Sequence, residues 1–566
     1  MSIIYTNQGN FSKVINTYLN ALNNLDTTEH LIRAKIYHNL GYTYSLLKNY
    51  EIALKYSLLS LKSYQEINFK EIGLICSNCG FFYFLLNKLD SAEIFLNKAI
   101  IISEKTKISD HIVNSYTNYA LFLANKKDYR KSFHFYSLAY KVSKQIFKEK
   151  SLNISNCEFQ IGKYYSLKKE YPTSLQYIHK SIISKVHDFN DSSIYSNPSP
   201  HIFPDIRLLE ILQEKARTFE ALGKEENKQK NLNAALSTLK LTAHYMEKLR
   251  IGYQNEESKL FISANESDIY HRLVSISYNL YTLTSEKQYL DDAFEYAERS
   301  KYGILRELRN EEQARSFAGV PDSILVKERR IKERLYSLSG GVRGIAAEDT
   351  GNLKKINEEI FTLTLEQEAL IRHMEKEYPD YYRLKYDDHV VSPKELQYKL
   401  NNKEILLEYT ISGSHLYTFF ITKSDFRVFV QDADSLFYSS LSDYKRYLHS
   451  PYILPYDSFC SVSNDLYKKL ISPVEPYLPG NNLIVVPDAQ MGLIAFESLI
   501  RSKNPASASS GFTREDFLIK HYPIGYAFSA TLFTTQKNLS KRKKPFIGFT
   551  PDYRFIDDSL DNFLRQ

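Results

Sequence analysis

Apolar residues recur every three or four positions through roughly the first 310 residues, the spacing of a helix with one buried face, and they do so in repeated blocks. HNLGYTYSLLKNYEIALKYSLLSL (38–61) sets Leu40, Gly41 and Tyr44 ahead of Tyr50 and Ala53. SNCGFFYFLLNKLDSAEIFLNKAI (77–100) sets Gly80 and Tyr83 ahead of Leu89, Ala92, Leu96 and Ala99. TNYALFLANKKDYRKSFHFYSLAY (117–140) carries Ala120, Leu123, Tyr129, Ser132, Tyr136 and Ala139. FQIGKYYSLKKEYPTSLQYIHKSI (159–182) carries Gly162, Tyr165, Tyr171, Ser174 and Ile178. The small residue at 41, 80, 120 and 162 gives a period of about 40. A second small residue follows each of them at 53, 92, 132 and 174. Two helices per block, crossing closely at these positions, are expected, with aromatics such as Tyr44 and Tyr136 filling the gaps.

This pattern resembles the tetratricopeptide repeat in a longer-helix form. The resemblance implies an α-solenoid with a concave groove that holds a protein or peptide partner. After 187 the register slips at HDFNDSSIYSNPSPHIFPD (187–205), whose Asn, Ser and Pro content predicts a loop insertion. Helical periodicity then returns and carries the array to about residue 310, giving a first domain of 1–310. Residues 311–395 read as an antiparallel helical hairpin around GGVRG (340–344), with Ile356, Ile360, Leu363, Leu370 and Met374 on one apolar face.

The period changes from 396 onward. KEILLEYTISGSHLYTFFITKSDFRVFV contains strand-like runs at 405–411, 415–422 and 426–430. SFCSVSNDLYKKLISPV predicts a helix. Leu483–Val486 is a continuous apolar strand suited to a sheet buried on both faces. Pro487-Asp488 is expected to turn it into a helix beginning at Ala495, Phe496 and Leu499. YPIGYAFSATLF (522–533) predicts a short strand and a helix N-capped by Ser529, and KPFIGFTP (544–551) a further strand.

Composition narrows the class of function. Lys and Arg number 73 against 66 Asp and Glu, with a net charge of +7, so no basic footprint for nucleic acid emerges. The lysine-rich KNLSKRKK (537–544) has no interleaved aromatics and reads as a loop. The most apolar stretch, IGLICSNCGFFYFLL, falls short of the roughly 20 residues of a membrane span. Four cysteines over 566 residues make no disulfide framework, and a cytoplasmic protein is expected.

The ordered segments of the last third resemble the CHAT domain, a caspase- and separase-related module. AFEYAERSKYGILRELR (293–309) resembles that family's linking helix, with Glu298, Arg299, Ser300 and Lys301 at its centre. SPKELQYKLNNKEILLEYTISGSHLYTFFIT resembles its opening helix and meander. LIVVPDAQMGLIAFESL resembles its strand-loop-helix, with Ala495 where Pro is common. YPIGYAFSATLF and FIGFTPDY resemble the next strands. The resemblance implies a cysteine peptidase with a His in a His-Gly step and a Cys in a Ser-Ala-Cys type turn, both downstream of FIGFTPDY. The imidazole would hold the sulfur as thiolate.

Neither dipeptide nor turn occurs in this sequence, which ends at Gln566. The expectation is therefore an α-solenoid followed by the N-terminal part (396–566) of a caspase-like α/β domain, incomplete at its C-terminus. Its dyad would lie beyond residue 566, so this chain would bind a partner and not cleave. A non-catalytic scaffold with a half domain is the alternative. No catalytic, cofactor-binding or metal-binding residue is assigned. Cys460, Cys157 and the Cys76/Cys79 pair read as core positions, His415 and His521 as surface or satisfied side chains, and Asp488 as a turn-maker. No cofactor and no membrane partner is expected.

Overall fold

The structure is a computed structural model. It describes residues 11–537 except 27, 48, 68–71, 147–149, 203, 253–255, 316–319, 342–349, 380, 383–388, 450–455, 479–481 and 503–515. After α1 (Phe11–Asn23) the chain runs as paired helices. These are α2 (His30–Leu46) with α3 (Tyr50–Glu66), α4 (Ile72–Leu85) with α5 (Leu89–Thr106), and α6 (Ser109–Asn125) with α7 (Tyr129–Ile146). They continue as α8 (Leu152–Leu167) with α9 (Tyr171–Lys185), α10 (Ile206–Glu225) with α11 (Lys228–Gly252), and α12 (Glu256–Thr284) with α13 (Lys287–Arg315).

The small-residue rule explains the crossings. A Cβ on Gly80 would stand 2.7 Å from Leu96 Cγ, and one on Gly162 would stand 2.6 Å from Ile178 Cγ1. Ser132 and Ser174 donate to Ala120 O at 2.8 Å and Gly162 O at 2.7 Å, so each hydroxyl is satisfied across the contact it permits. From α4/α5 onward the turn inside each pair is marked by a left-handed residue: Asn87, Lys127, Lys169, Asn227 and Ser285. In the first three the next N–H reaches back five residues, as Lys88 N does to Tyr83 O at 2.9 Å. The same turn at Asn227 and Ser285 shows that the pairs continue after the insertion at 187–205, where sequence register is lost.

The helices α14 (Asp322–Gly341) and α15 (Thr350–Glu377) form the expected hairpin, packing Ile331 against Leu370 and Met374, with Arg334 Nε 2.7 Å from Glu359. A short helix, α16 (Pro393–Lys399), follows, held by a capping box between Ser392 and Glu395. Then come β1 (Glu404–Ser412), β2 (His415–Ile421), β3 (Phe426–Asp432), α17 (Ser435–His449), α18 (Tyr456–Leu470), β4 (Asn482–Val486), β5 (Ile524–Tyr526) and α19 (Ala530–Lys537).

The sheet order is β3-β2-β1-β4-β5, with β1 antiparallel to β2 and parallel to β4, and β4 parallel to β5. Alternation splits the strands between two cores. Ile405, Leu407, Tyr409, Leu483 and Val485 pack with Leu441, Leu466 and Leu470 of α17 and α18. Leu406, Tyr417, Phe419, Ile484 and Val486 pack into one continuous core with Leu273, Ile276, Phe294 and Ala297 of α12 and α13. The last helical pair of the array is thus the second cover of the sheet.

Two expectations need correction. Past Pro487-Asp488 the chain makes short 3₁₀ turns, Ala489–Leu493 and Phe496–Ser498, and not the expected helix. Ile494, Phe496, Leu499 and Ile500 are all buried there, a spacing that one helical face does not satisfy. The helix α17 was not foreseen. The strand at 544–551 and the lysine-rich 537–544 segment, from residue 538 on, lie outside the described residues.

Candidate functional site

The densest group of buried charge lies where α12 and α13 meet the C-terminal ends of β1 and β4, the end at which open α/β sheets place their functional groups. Glu298 of α13 is fully buried. Its carboxylate accepts from Ala530 N at 2.7 Å, from Thr531 N at 2.8 Å and from Thr531 Oγ1 at 2.6 Å. It therefore caps α19 from outside, next to the local cap that Ser529 Oγ supplies to Leu532 N at 3.1 Å. One turn further along α13, Lys301 Nζ donates to Glu408 Oε1 at 2.8 Å.

Glu408 points from β1 into the array and is fully buried, and burial pushes its carboxyl well above the usual range. The neighbouring Glu298 carboxylate pushes the same way, and Lys301 opposes both. Beside it, Asp488 Oδ2 accepts from Ile411 N at 2.7 Å and lies 3.8 Å from His271 Nε2 of α12. Burial holds the His271 imidazole below its ordinary value, against the opposing pull of Asp488. Asp488 is thus more than a turn-maker: it ties the end of β4 to β1 beneath the array. Glu408 Oε2, Thr410 Oγ1 and His271 Nε2 have no protein hydrogen-bond partner among the described residues. Such atoms make this seam costly to hold closed.

A second feature is the face shared by the first helices of successive pairs. Asn118 Nδ2 of α6 donates to Ser77 Oγ of α4 at 3.0 Å, and Arg207 Nε of α10 to Asn156 Oδ1 of α8 at 3.0 Å. Lys163 and Arg207 both stand over the Phe159 ring. Tyr42 on α2 is half exposed.

The thiols are placed as packing groups. Cys76, Cys79, Cys157 and Cys460 are all buried and none is in a disulfide. Burial pushes Cys76 and Cys157 up to about 11 and Cys79 higher still. A group in that state is protonated and a poor nucleophile. His521, for which the sequence suggests no partner, pairs with Asp516, while Arg501 bridges Asp516 and Glu475. His415 is exposed beside Ser414. No group of three or more His, Cys, Asp or Glu able to hold a metal occurs among the described residues, and no described helix is long and apolar enough to cross a membrane.

Comparison with known proteins agrees with both halves of this geometry. A family model described as CHAT domain matches residues 461–552, and one described as tetratricopeptide repeat matches 33–68, the α2/α3 pair. No curated protein matches the chain. Solved structures with partial likeness include BtubC (BKLC) from P. vanneervenii, 12% identical, covering 45% of this chain and 94% of that one, with a TM-score of 0.30. The apo form of RapI is 15% identical, with 52% and 93% covered and a TM-score of 0.32. The C-terminal part of a TPR repeat-containing protein from Cytophaga hutchinsonii is 14% identical, with 52% and 92% covered and a TM-score of 0.27. The chain pairs tetratricopeptide-repeat sequence with CHAT-domain sequence.

Proposed function

We propose that the helical array (1–310) recruits a protein or peptide partner in a concave groove lined by the first helices of its pairs. On this reading the hairpin (311–395) is a linker, and residues 396–566 belong to a CHAT-type, caspase-like cysteine peptidase fold. The observation that carries it is the shared core: Leu406, Phe419 and Val486 of the sheet lie in one cluster with Leu273 and Phe294 of the array. A partner that bends the array therefore acts directly on the sheet. The His-Gly step and Ser-Ala-Cys turn that resemblance assigns to the chemistry do not occur in this sequence. On this reading residues 1–566 bind a partner without cleaving it, in the cytoplasm and with no cofactor.

The test is a peptide library and a thiol-reactive active-site probe applied to the purified chain. No turnover and no selectively labelled cysteine is expected. Labelling of Cys460, with turnover lost in Cys460→Ala, would overturn the reading. A partner captured from its native context should be released by Lys163→Glu and Tyr42→Ala together.

A further inference from the structure

The insertion between α9 and α10 is held by the array as a bound peptide is held. Along 187–202 the chain has no helix or strand, and few of its own backbone groups pair with each other. Its carbonyls are instead taken by side chains of the array. Lys150 Nζ donates to Val186 O at 3.0 Å, His187 O at 2.5 Å and Phe189 O at 3.1 Å. His179 Nε2 meets Asp191 O at 2.7 Å, so that nitrogen carries the proton and Nδ1 is an acceptor. Lys215 Nζ, fully buried on α10, lies 3.3 Å from that Nδ1 and donates to Ser196 O at 2.5 Å and Asn197 Oδ1 at 3.0 Å. Tyr245 Oη and Lys248 Nζ of α11 donate to Ser199 O at 2.6 Å and Pro200 O at 2.7 Å.

Donors from the start of α8 and from α9, α10 and α11 thus read main-chain carbonyls along one irregular strap that turns at 187–188, 194–195 and 200–201, and such main-chain recognition tolerates sequence change. Side chains add selectivity at one place. The Tyr195 ring stacks on Phe219 at 5.4 Å and lies under Lys230 Nζ at 4.0 Å. Asn197 Nδ2 also donates to Thr238 Oγ1 at 3.2 Å, and Pro198 is buried beside it. A plain connection between helices needs only a few residues. This one is longer, and a buried lysine whose hydrogen-bond acceptors are all neutral, with the strap's own Asp191 as the carboxylate that offsets its charge, is expensive unless the strap sits over it.

We propose that the α9–α11 surface is a peptide-docking site occupied in cis by residues 187–202. Its partner in trans is a protein segment in irregular, turn-containing conformation that presents an aromatic residue followed by an amide and a proline, in the manner of Tyr195, Asn197 and Pro198. Such a segment binds by displacing the strap. The site shares α10 with the groove proposed above but is probed by a different ligand and different substitutions, so either proposal can fail alone.

The test is complementation. Residues 188–202 are replaced by a Gly-Ser linker of equal length in the full chain, and a synthetic peptide of sequence 187–202 is titrated against it. Saturable binding to the linker variant is expected, at least about tenfold tighter than to the intact chain, whose site is already filled. Lys215→Met in the linker variant, or Tyr195→Ala in the peptide, should weaken binding by about tenfold or more. Absence of binding by a linker variant of unchanged helicity overturns the proposal, as does binding insensitive to both changes. Should the linker variant fail to fold, the intact chain carrying Tyr195→Ala and Asn197→Ala takes its place. Binding of the parent peptide to that folded chain supports the proposal, and absence of binding overturns it.

Discussion

At the scale of single residues the array is governed by close approach. Gly162→Ala would bring a methyl 3.1 Å from Ile178 N and 3.2 Å from Ser174 O, backbone atoms that cannot swing aside. The variant should lose about 1–3 kcal/mol in denaturant unfolding, whereas an exposed site such as Lys98→Ala should lose almost nothing. The sequence made this legible, because small residues at a fixed spacing have no other purpose inside a helix. What it did not show is where Glu298 points. That residue stood at the centre of a helix with charged neighbours, and only the fold reveals three donors of α19 on its carboxylate. Glu298→Ala should cost about 1–3 kcal/mol. It should also speed hydrogen exchange at Ala530 and Thr531 ahead of the rest of the sheet.

Among elements, the seam between α13 and β1 has a definite pH dependence. Glu408 has a folded-state value raised above 4.5, so from pH 4.5 upward the unfolded chain releases a proton that the folded chain keeps. Stability contributed by the neutral carboxyl is complete below that point and declines as pH rises through the window. Glu408→Gln, neutral throughout, should therefore lose less stability than the parent as pH rises above 4.5, read from urea midpoints. A steeper loss in the variant would refute the assignment. Sequence pattern predicted β1, β2 and β3 closely, since near-continuous apolar and aromatic runs bounded by Ser-Gly-Ser and Lys-Ser-Asp turns mark strands in a sheet covered on both faces. It failed after Pro487, where burial of Ile494, Phe496 and Leu499 is set by contacts with α17 and α18 and no local period records it. Cysteine reactivity belongs to this scale as well. Cys76, Cys79 and Cys157 lie inside helix pairs and should resist a thiol reagent in the native chain while reacting fully in urea.

For the whole molecule, the informative fact is that the array does not end before the sheet begins. Tyr417 donates to Ser275 Oγ at 3.2 Å, and Phe294 meets Phe419 and Phe426 edge-on at 5.6 and 6.0 Å. Reading the chain as consecutive segments separates helical repeats from strands by period, and that separation conceals a cover shared between them. A partner held by the array would consequently be felt at β1 and α19. The most direct test of this unity is equilibrium unfolding of the whole chain, followed at once by hydrogen exchange in α12, α13, β1 and β4. One transition with coincident midpoints in all four elements, shifted together by Phe294→Ala, is the result expected. Sheet and array melting at separate midpoints, with Phe294→Ala moving only the array, would contradict it.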